Sequence, residues 1–267
     1  MLKKTNIVII GTGNLASHLA QFIAKQSDLN LIQLFNHRKT KVALALAKKN
    51  NCSLVSKYNK IIPTADIYII CVNDDSIKEV AENLVQLKLQ NLVVHTSGSI
   101  DITVLNNVSK QIGVFYPLQT FSKNDSVDWN SIPLLLEANT KGALTKLKSF
   151  SGLFSSKIKN VNSQKRLNIH LAAVFGCNFT NALYSVSYQL MENSLSKNDV
   201  SLLIPILNQS FNKIQNIGPI KAQTGPAKRN DLVTMRKHLV LLKQNKQLSL
   251  IYKSLSDLIK TQQHVKL

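Results

Sequence analysis

Four β-branched residues, Ile7-Val8-Ile9-Ile10, run directly into Gly11-Thr12-Gly13-Asn14-Leu15-Ala16, and the next ten residues carry helical spacing. No other feature narrows the possible folds as much. A strand that ends on Gly-x-Gly and opens a helix must turn sharply, and Gly11 supplies the backbone freedom for that turn. Gly13 leaves the backbone bare where a phosphate can approach, and Ala16 is small enough for helix to pack closely on strand. The first-turn N–H groups of such a helix lack partners of their own and favour an anion. Gly11, Thr12, Gly13, Asn14 and Leu15 are therefore expected to hold the pyrophosphate of a dinucleotide.

Short apolar runs then alternate with helical stretches. Leu31–Asn36, Ile67–Val72, Leu92–His95, Gly113–Tyr116 and Pro133–Glu137 read as strands, with an edge around Ile158–Val161. Asn14–Lys25, Val42–Asn50 and a stretch capped by Asp75 or Ser76 and ending near Leu87 read as helices. Ile67–Val72 is continuously apolar, as a central strand buried on both faces must be. The alternation predicts an α/β domain over residues 1–162, a doubly wound, mostly parallel Rossmann sheet. Beyond residue 162 only helical patterns appear: Ser163–Asn193, Asp199–Asn216 with a bend near Pro205, Asp231–Gln244 and Gln247–Gln262. Residues 163–267 are expected to form an all-α domain for substrate binding and dimerisation.

The end of the second strand distinguishes the two nicotinamide cofactors. NAD-binding chains place an acid there on the ribose 2′-hydroxyl. Here the text is Asn36-His37-Arg38-Lys39-Thr40-Lys41, without an acid. Arg38 can fork onto a 2′-phosphate, with Asn36 and Lys39 beside it, so NADP is the expected cofactor. Val72 and Asn73 follow the central strand, and Ser97 and Gly98 follow the next one. Both loops lie at carboxyl ends, where open α/β sheets bind ligands, and should close over the cofactor. His95 is expected to pack at the strand end.

Charge raises a different possibility. Thirty-three Lys and Arg against 14 Asp and Glu give a formal net charge of +19, the balance of many nucleic-acid binders. The lysines are dispersed, however, and no helix-turn-helix, zinc-finger or RNA-binding signature accompanies them, so no nucleic-acid partner is expected. No apolar run has the roughly 18–20 residues of a membrane span, and a cytoplasmic protein without a membrane partner is expected. Cys52, Cys71 and Cys177 form no Cys-x-x-Cys pair, which leaves no metal-ligand spacing. Cys71 and Cys177 are expected to be small core residues.

Four motifs then occur in order: Gly11-Thr-Gly-Asn-Leu-Ala, His95-Thr-Ser-Gly-Ser, Gly113-Val-Phe-Tyr-Pro-Leu-Gln-Thr-Phe and Thr224-Gly-Pro-Ala-Lys-Arg-Asn-Asp231. Together they resemble a family of Rossmann-like NADP oxidoreductases with a helical C-terminal domain of unknown function. That family is distantly similar to pyrroline-5-carboxylate reductase and to 6-phosphogluconate dehydrogenase-like enzymes. The resemblance implies the fold, the NADP cofactor and a homodimer formed through the helical domain; it implies no substrate. Hydroxyacid dehydrogenases and ketopantoate reductases of that wider group carry a Lys four residues before an Asn at the start of the long helix. Here that helix reads His170-Leu-Ala-Ala-Val-Phe-Gly-Cys-Asn178-Phe-Thr-Asn181, and the pair is absent.

Hydride transfer also needs a group that delivers a proton. An α-helix places Asn178 about 80° and Asn181 about 20° from His170, so the three are expected on one face. His170 is the expected proton donor, with Asn178 on a substrate oxygen and Asp231 as a further catalytic candidate. Asp231 is equally suited to cap the helix it opens. Tyr116 and Gln119 after the strand at Gly113, and Thr224 and Arg229 in the Gly-Pro loop, are candidate substrate contacts; Leu118 and Phe121 are expected to pack. The chain is thus expected to reduce a small carbonyl or imine compound with NADPH in the cleft between its domains. The alternative, motivated by the missing lysine, is an NADP-binding sensor or assembly protein without catalysis.

Overall fold

The computed structural model describes residues 4–123, 125–195 and 197–264. Eight strands form one sheet: β1 (Thr5–Ile10), β2 (Leu29–Phe35), β3 (Ser53–Val55), β4 (Ile67–Ile70), β5 (Leu92–His95), β6 (Ile112–Pro117), β7 (Leu134–Ala138) and β8 (Ile158–Asn160). Their order is β3-β2-β1-β4-β5-β6-β7-β8. Every neighbouring pair is parallel except β6 and β7. Between those two, the described chain holds only a single 3-10 turn, Trp129–Ser131, and no crossover helix. Without a helix to carry it back, the chain returns antiparallel. The three-residue β3 and this reversal are the two features that hydrophobic pattern leaves unmarked.

Alternation along the strands distributes the core to both faces. Ile7 and Ile9 of β1 pack with Leu19, Ala20 and Ile23 of α1 (Asn14–Ile23), Leu46 and Ala47 of α2 (Lys41–Lys49), and Leu147 and Phe150 on the later helix of Lys141–Gly152. Val8 and Ile10 face the other way, toward Ile77, Val80 and Leu84 of α3 (Asp74–Val85). All four β1 side chains are fully buried, and each isoleucine contributes about 1.5–3 kcal/mol by leaving water. Helix α3 starts directly after Asn73, one or two residues before the expected cap, and the Asn73 side chain makes no capping hydrogen bond. Lys141–Gly152 is α4, which carries the chain to β8.

Strand order reverses at β1, with β2 on one side and β4 on the other, and such a switch point opens a crevice outside the carboxyl ends. Register aligns those ends in one row: Ile10 opposes Phe35 and Ile70, and Ile70 opposes His95. The residues that follow, Asn36, Gly11, Cys71 and Thr96, therefore begin their loops side by side.

The chain divides into two compact units, residues 1–181 and 182–267. The first includes α5 (Ser163–Ala173) and a six-residue π-helix, Val174–Phe179, that continues it. From there α6 (Thr180–Ser194) runs on into the second unit. The second unit is entirely helical: a 3-10 helix at Lys197–Leu203, α7 (Ile204–Ile217) with Pro205 in its first turn, a short α8 (Pro219–Ala222), α9 (Leu232–Leu241) and α10 (Lys246–His264). Among its described residues only Ala227, Met235 and Ser256 are buried, whereas Phe211 is 60% and Leu241 81% exposed.

Candidate active site

Gly11 adopts φ +112°, and a Cβ there would stand 2.2 Å from the Cys71 carbonyl oxygen. Only glycine satisfies both demands. Its N–H donates to the Phe35 carbonyl at 2.8 Å, which ties the turn to the neighbouring strand. At Gly13 a Cβ would meet nothing within 4 Å. The backbone therefore borders open space at the N-terminus of α1, whose first turn holds no acid. Those two observations fit a dinucleotide pyrophosphate, which would be held by the Gly11–Leu15 backbone. At the end of β2 come Asn36, Arg38 and Lys39; Asn36 Nδ2 donates to the Arg38 carbonyl, and Thr40 caps α2 through Ala43 N–H. Arg38 and Lys39 are exposed, with no acid beside them.

Beyond the glycine loop lies a cavity of about 520 Å³. Its walls come from the ends of β4, β5 and β6 and from one face of the α5–π helix: Asp74, Thr96, Ser97, Gly98, Tyr116, Leu118, Gln119, Thr120, Phe121, His170, Ala173, Val174, Cys177 and Asn178. The segment after β6 is fastened over α1, because Asn14 Nδ2 donates to the Phe121 carbonyl at 2.9 Å and His18 Nε2 stands 2.8 Å from that of Ser122. The cavity thus adjoins the glycine loop.

Two wall residues form a pair. Tyr116 Oη and His170 Nδ1 are 2.9 Å apart, with their rings edge to face. Gly98 lies against both: a Cβ there would come within 2.7 Å of His170 Nδ1 and 2.8 Å of Tyr116 Cζ. Burial, and then the charge of Asp74, push the Tyr116 phenol above its usual pKa, opposed by Arg166. Asp74 accepts a 2.6 Å hydrogen bond from Ser99 Oγ, and Ser97 Oγ accepts from the N–H groups of Ser99 and Ile100.

Arg166 and Glu137 hold α5 against the sheet. Arg166 is fully buried, and its guanidinium bonds to Glu137 on β7, to the Ile100 carbonyl and to Ser163 Oγ. Glu137 also accepts from Ser163 N–H and Oγ. Arg166 lies one helical turn before His170, on the same side. Sequence reasoning missed this residue; the available signal was an Arg four positions before a candidate His on one helix. At the end of β5, burial and then Arg166 lower the pKa of His95 to about 3. Its Nδ1 accepts from Ser97 N–H at 3.2 Å, so the neutral ring braces the loop that lines the cavity.

Of the sequence-derived candidates, Ser97, Gly98, Tyr116, Gln119, His170 and Asn178 meet in the one cavity. Val72 and Asn73 follow β4 as expected. Asn181 is not in the cavity wall, because the π turn rotates each residue by less than an α turn and shifts the face. Phe121 packs against the core as expected and, with Leu118, also lines the cavity. Cys71 is buried, but Cys177 is exposed and faces the cavity, contrary to expectation. Thr224, Arg229 and Asp231 lie in the second unit; Asp231 caps α9 through Thr234 N–H at 3.0 Å. Among the described residues no three His, Cys, Asp or Glu could hold a metal ion, and no helix is long and apolar enough to cross a membrane.

This glycine turn, strand order and cavity define an NAD(P)-binding protein of the oxidoreductase class. Residues 5–95 match the family model described as "Oxidoreductase family, NAD-binding Rossmann fold", and residues 132–259 match "Domain of unknown function (DUF2520)". A "putative NADP oxidoreductase" from Bacteroides fragilis is 33% identical over 97% of this chain and 98% of its own, with a TM-score of 0.88. The chain belongs to the family of that protein, and itself carries an oxidoreductase-family Rossmann domain and a DUF2520 part. The fold is shared more distantly by a reductive aminase from Aspergillus terreus in complex with NADPH and ethyl-5-oxohexanoate (16% identity, TM-score 0.69, 96% of this chain and 93% of that one). It is also shared by a pyrroline-5-carboxylate reductase from Coxiella burnetii (18%, 0.59, 98% and 100%). No protein of curated function matches.

Proposed function

We propose that the protein is an NADPH-dependent reductase of a small carbonyl or imine compound bound in the 520 Å³ cavity. The observation that carries this reading is the Tyr116–His170 pair, closed over Gly98 beside the glycine loop. The Gly11–Leu15 backbone holds the pyrophosphate, Arg38 with Asn36 and Lys39 takes the 2′-phosphate, and Ser97 and Gly98 border the nicotinamide end. When bound, the reduced nicotinamide supplies the hydride. The chain's own residues supply the proton: Tyr116, kept protonated by burial and by Asp74, donates to the reduced oxygen or nitrogen and recovers its proton through His170. Asn178 and Gln119 offer amide groups that orient the substrate. The Bacteroides fragilis relative is named a putative NADP oxidoreductase, and the reductive aminase is in complex with NADPH; both support the cofactor reading.

NADPH and NADH titrations, together with NADPH oxidation across aldehydes, ketones and cyclic imines, test the proposal. NADPH is expected to bind more tightly, and Arg38→Ala to remove the preference; tighter NADH binding overturns the role of Arg38. We further propose that a second copy of the chain covers the exposed apolar helices of the second unit, which have almost no core of their own.

A further inference from the structure

We propose that the cavity takes a substrate with positive charge on its reacting nitrogen, an iminium ion, and that Asp74 is the counter-charge. This inference rests on the reductase reading and names the substrate class for it. In a chain with 33 Lys and Arg against 14 Asp and Glu, no Lys or Arg among the described residues lines the cavity, and Asp74 is the one carboxylate among those that do. The local sign is thus opposite to that of the whole molecule. The carboxylate is fixed in place, since Ser99 Oγ donates to Asp74 Oδ2 at 2.6 Å. Among the described residues no salt bridge neutralises it. Its charge acts into the cavity, where it opposes ionisation of Tyr116 more than the Arg166 guanidinium, itself paired with Glu137, favours it. The helix that Asp74 opens does not require it, because Asp75 also places a carboxylate in that first turn. A substrate carboxylate would meet Asp74 with no cation lining the cavity to offset it, whereas a cation gains a partner.

The reaction of such a substrate balances without a proton donor. A C–H bond forms between the hydride of the reduced dinucleotide and the iminium carbon, and the C=N π pair becomes the nitrogen lone pair. The substrate is reduced to a neutral amine as the dinucleotide is oxidised. Reduction of a ketone needs a proton in addition, from Tyr116.

Two measurements test this. Binding of N,N-dimethylpyrrolidinium, cyclopentanone and cyclopentanecarboxylate to the NADPH-loaded protein is followed by calorimetry in the wild type, Asp74→Asn and the control Asp75→Asn. The cation is expected to bind best, and Asp74→Asn to weaken it about fivefold while Asp75→Asn leaves it unchanged. Equal binding of the carboxylate, or an Asp74→Asn protein that binds the cation as before, overturns the inference. Turnover of N-methyl-1-pyrrolinium is then compared with that of cyclopentanone. Tyr116→Phe is expected to spare the first and cut the second; equal loss on both overturns the iminium assignment. If nothing turns over while the cation still binds in an Asp74-dependent way, the reductase reading falls and the cation site stands. If carboxylated imines turn over regardless of Asp74, the site falls and the reductase reading stands.

Discussion

The His95 imidazole is fully buried at the end of β5, and burial holds its pKa near 3 against an ordinary value of 6.5. The unfolded chain takes up a proton there near pH 6.5 and the folded chain does not until about pH 3. Neutral burial therefore contributes its full stability above pH 6.5 and loses it as pH falls toward 3, at about 1.4 kcal/mol per unit. Chemical denaturation at pH 6.5 and 4.5 is expected to show the wild type losing about 2–3 kcal/mol more than His95→Gln; equal losses would contradict it. Gly98 carries a second expectation, because Gly98→Ala drives a methyl into the Tyr116–His170 pair. Ketone turnover should fall about 100-fold, read as kcat at saturating NADPH. The glycine loop was legible in the sequence because backbone geometry dictates the residue type. Gly98 was legible only as part of a loop after a strand, since the side chains it meets lie 18 and 72 positions away along the chain.

Helix α5 depends on one buried ion pair. Arg166→Met leaves Glu137 without its cation and should cost about 3–5 kcal/mol, read as a lowered unfolding midpoint; Arg166→Met combined with Glu137→Leu should recover most of it. If the single variant unfolds like the wild type, the pair does not hold the helix. Long apolar runs such as Ile67–Ile70 announced their strands because both faces are covered. Ser53–Val55 did not, being three residues long on an edge. The direction of β7 leaves no mark in composition, because an antiparallel and a parallel neighbour bury the same side chains. Nor does periodicity reveal a π turn, which is why the expected face of the long helix was right at Asn178 and wrong at Asn181.

At the scale of the whole molecule, a net charge of +19 attracts an anionic dinucleotide from solution, and salt screens that attraction. NADPH affinity is expected to weaken steadily between 20 and 300 mM salt, while binding of a neutral ketone stays constant; a salt-independent Kd for NADPH would contradict a contribution from the overall field. Light scattering is expected to find two chains per particle, and Phe211→Glu, on an exposed apolar face of α7, to reduce that to one. Charge and composition bounded the partners of this chain but were silent about the cavity, whose one carboxylate among the described residues is opposite in sign to the net charge of the chain.

The π-helix at Val174–Phe179 has a genetic consequence. A π turn accommodates one more residue than an α turn, so loss of the Gly176 codon would let the hydrogen-bond ladder close in the ordinary way. Thr180 and the residues after it would keep their places, and the change would be confined to the wall segment that carries Cys177 and Asn178. A single in-frame deletion would thereby re-aim the thiol of Cys177 and the amide of Asn178 in the cavity wall, with the sheet and its loops untouched. Length variation at this point is a route to new substrates that no point substitution reproduces.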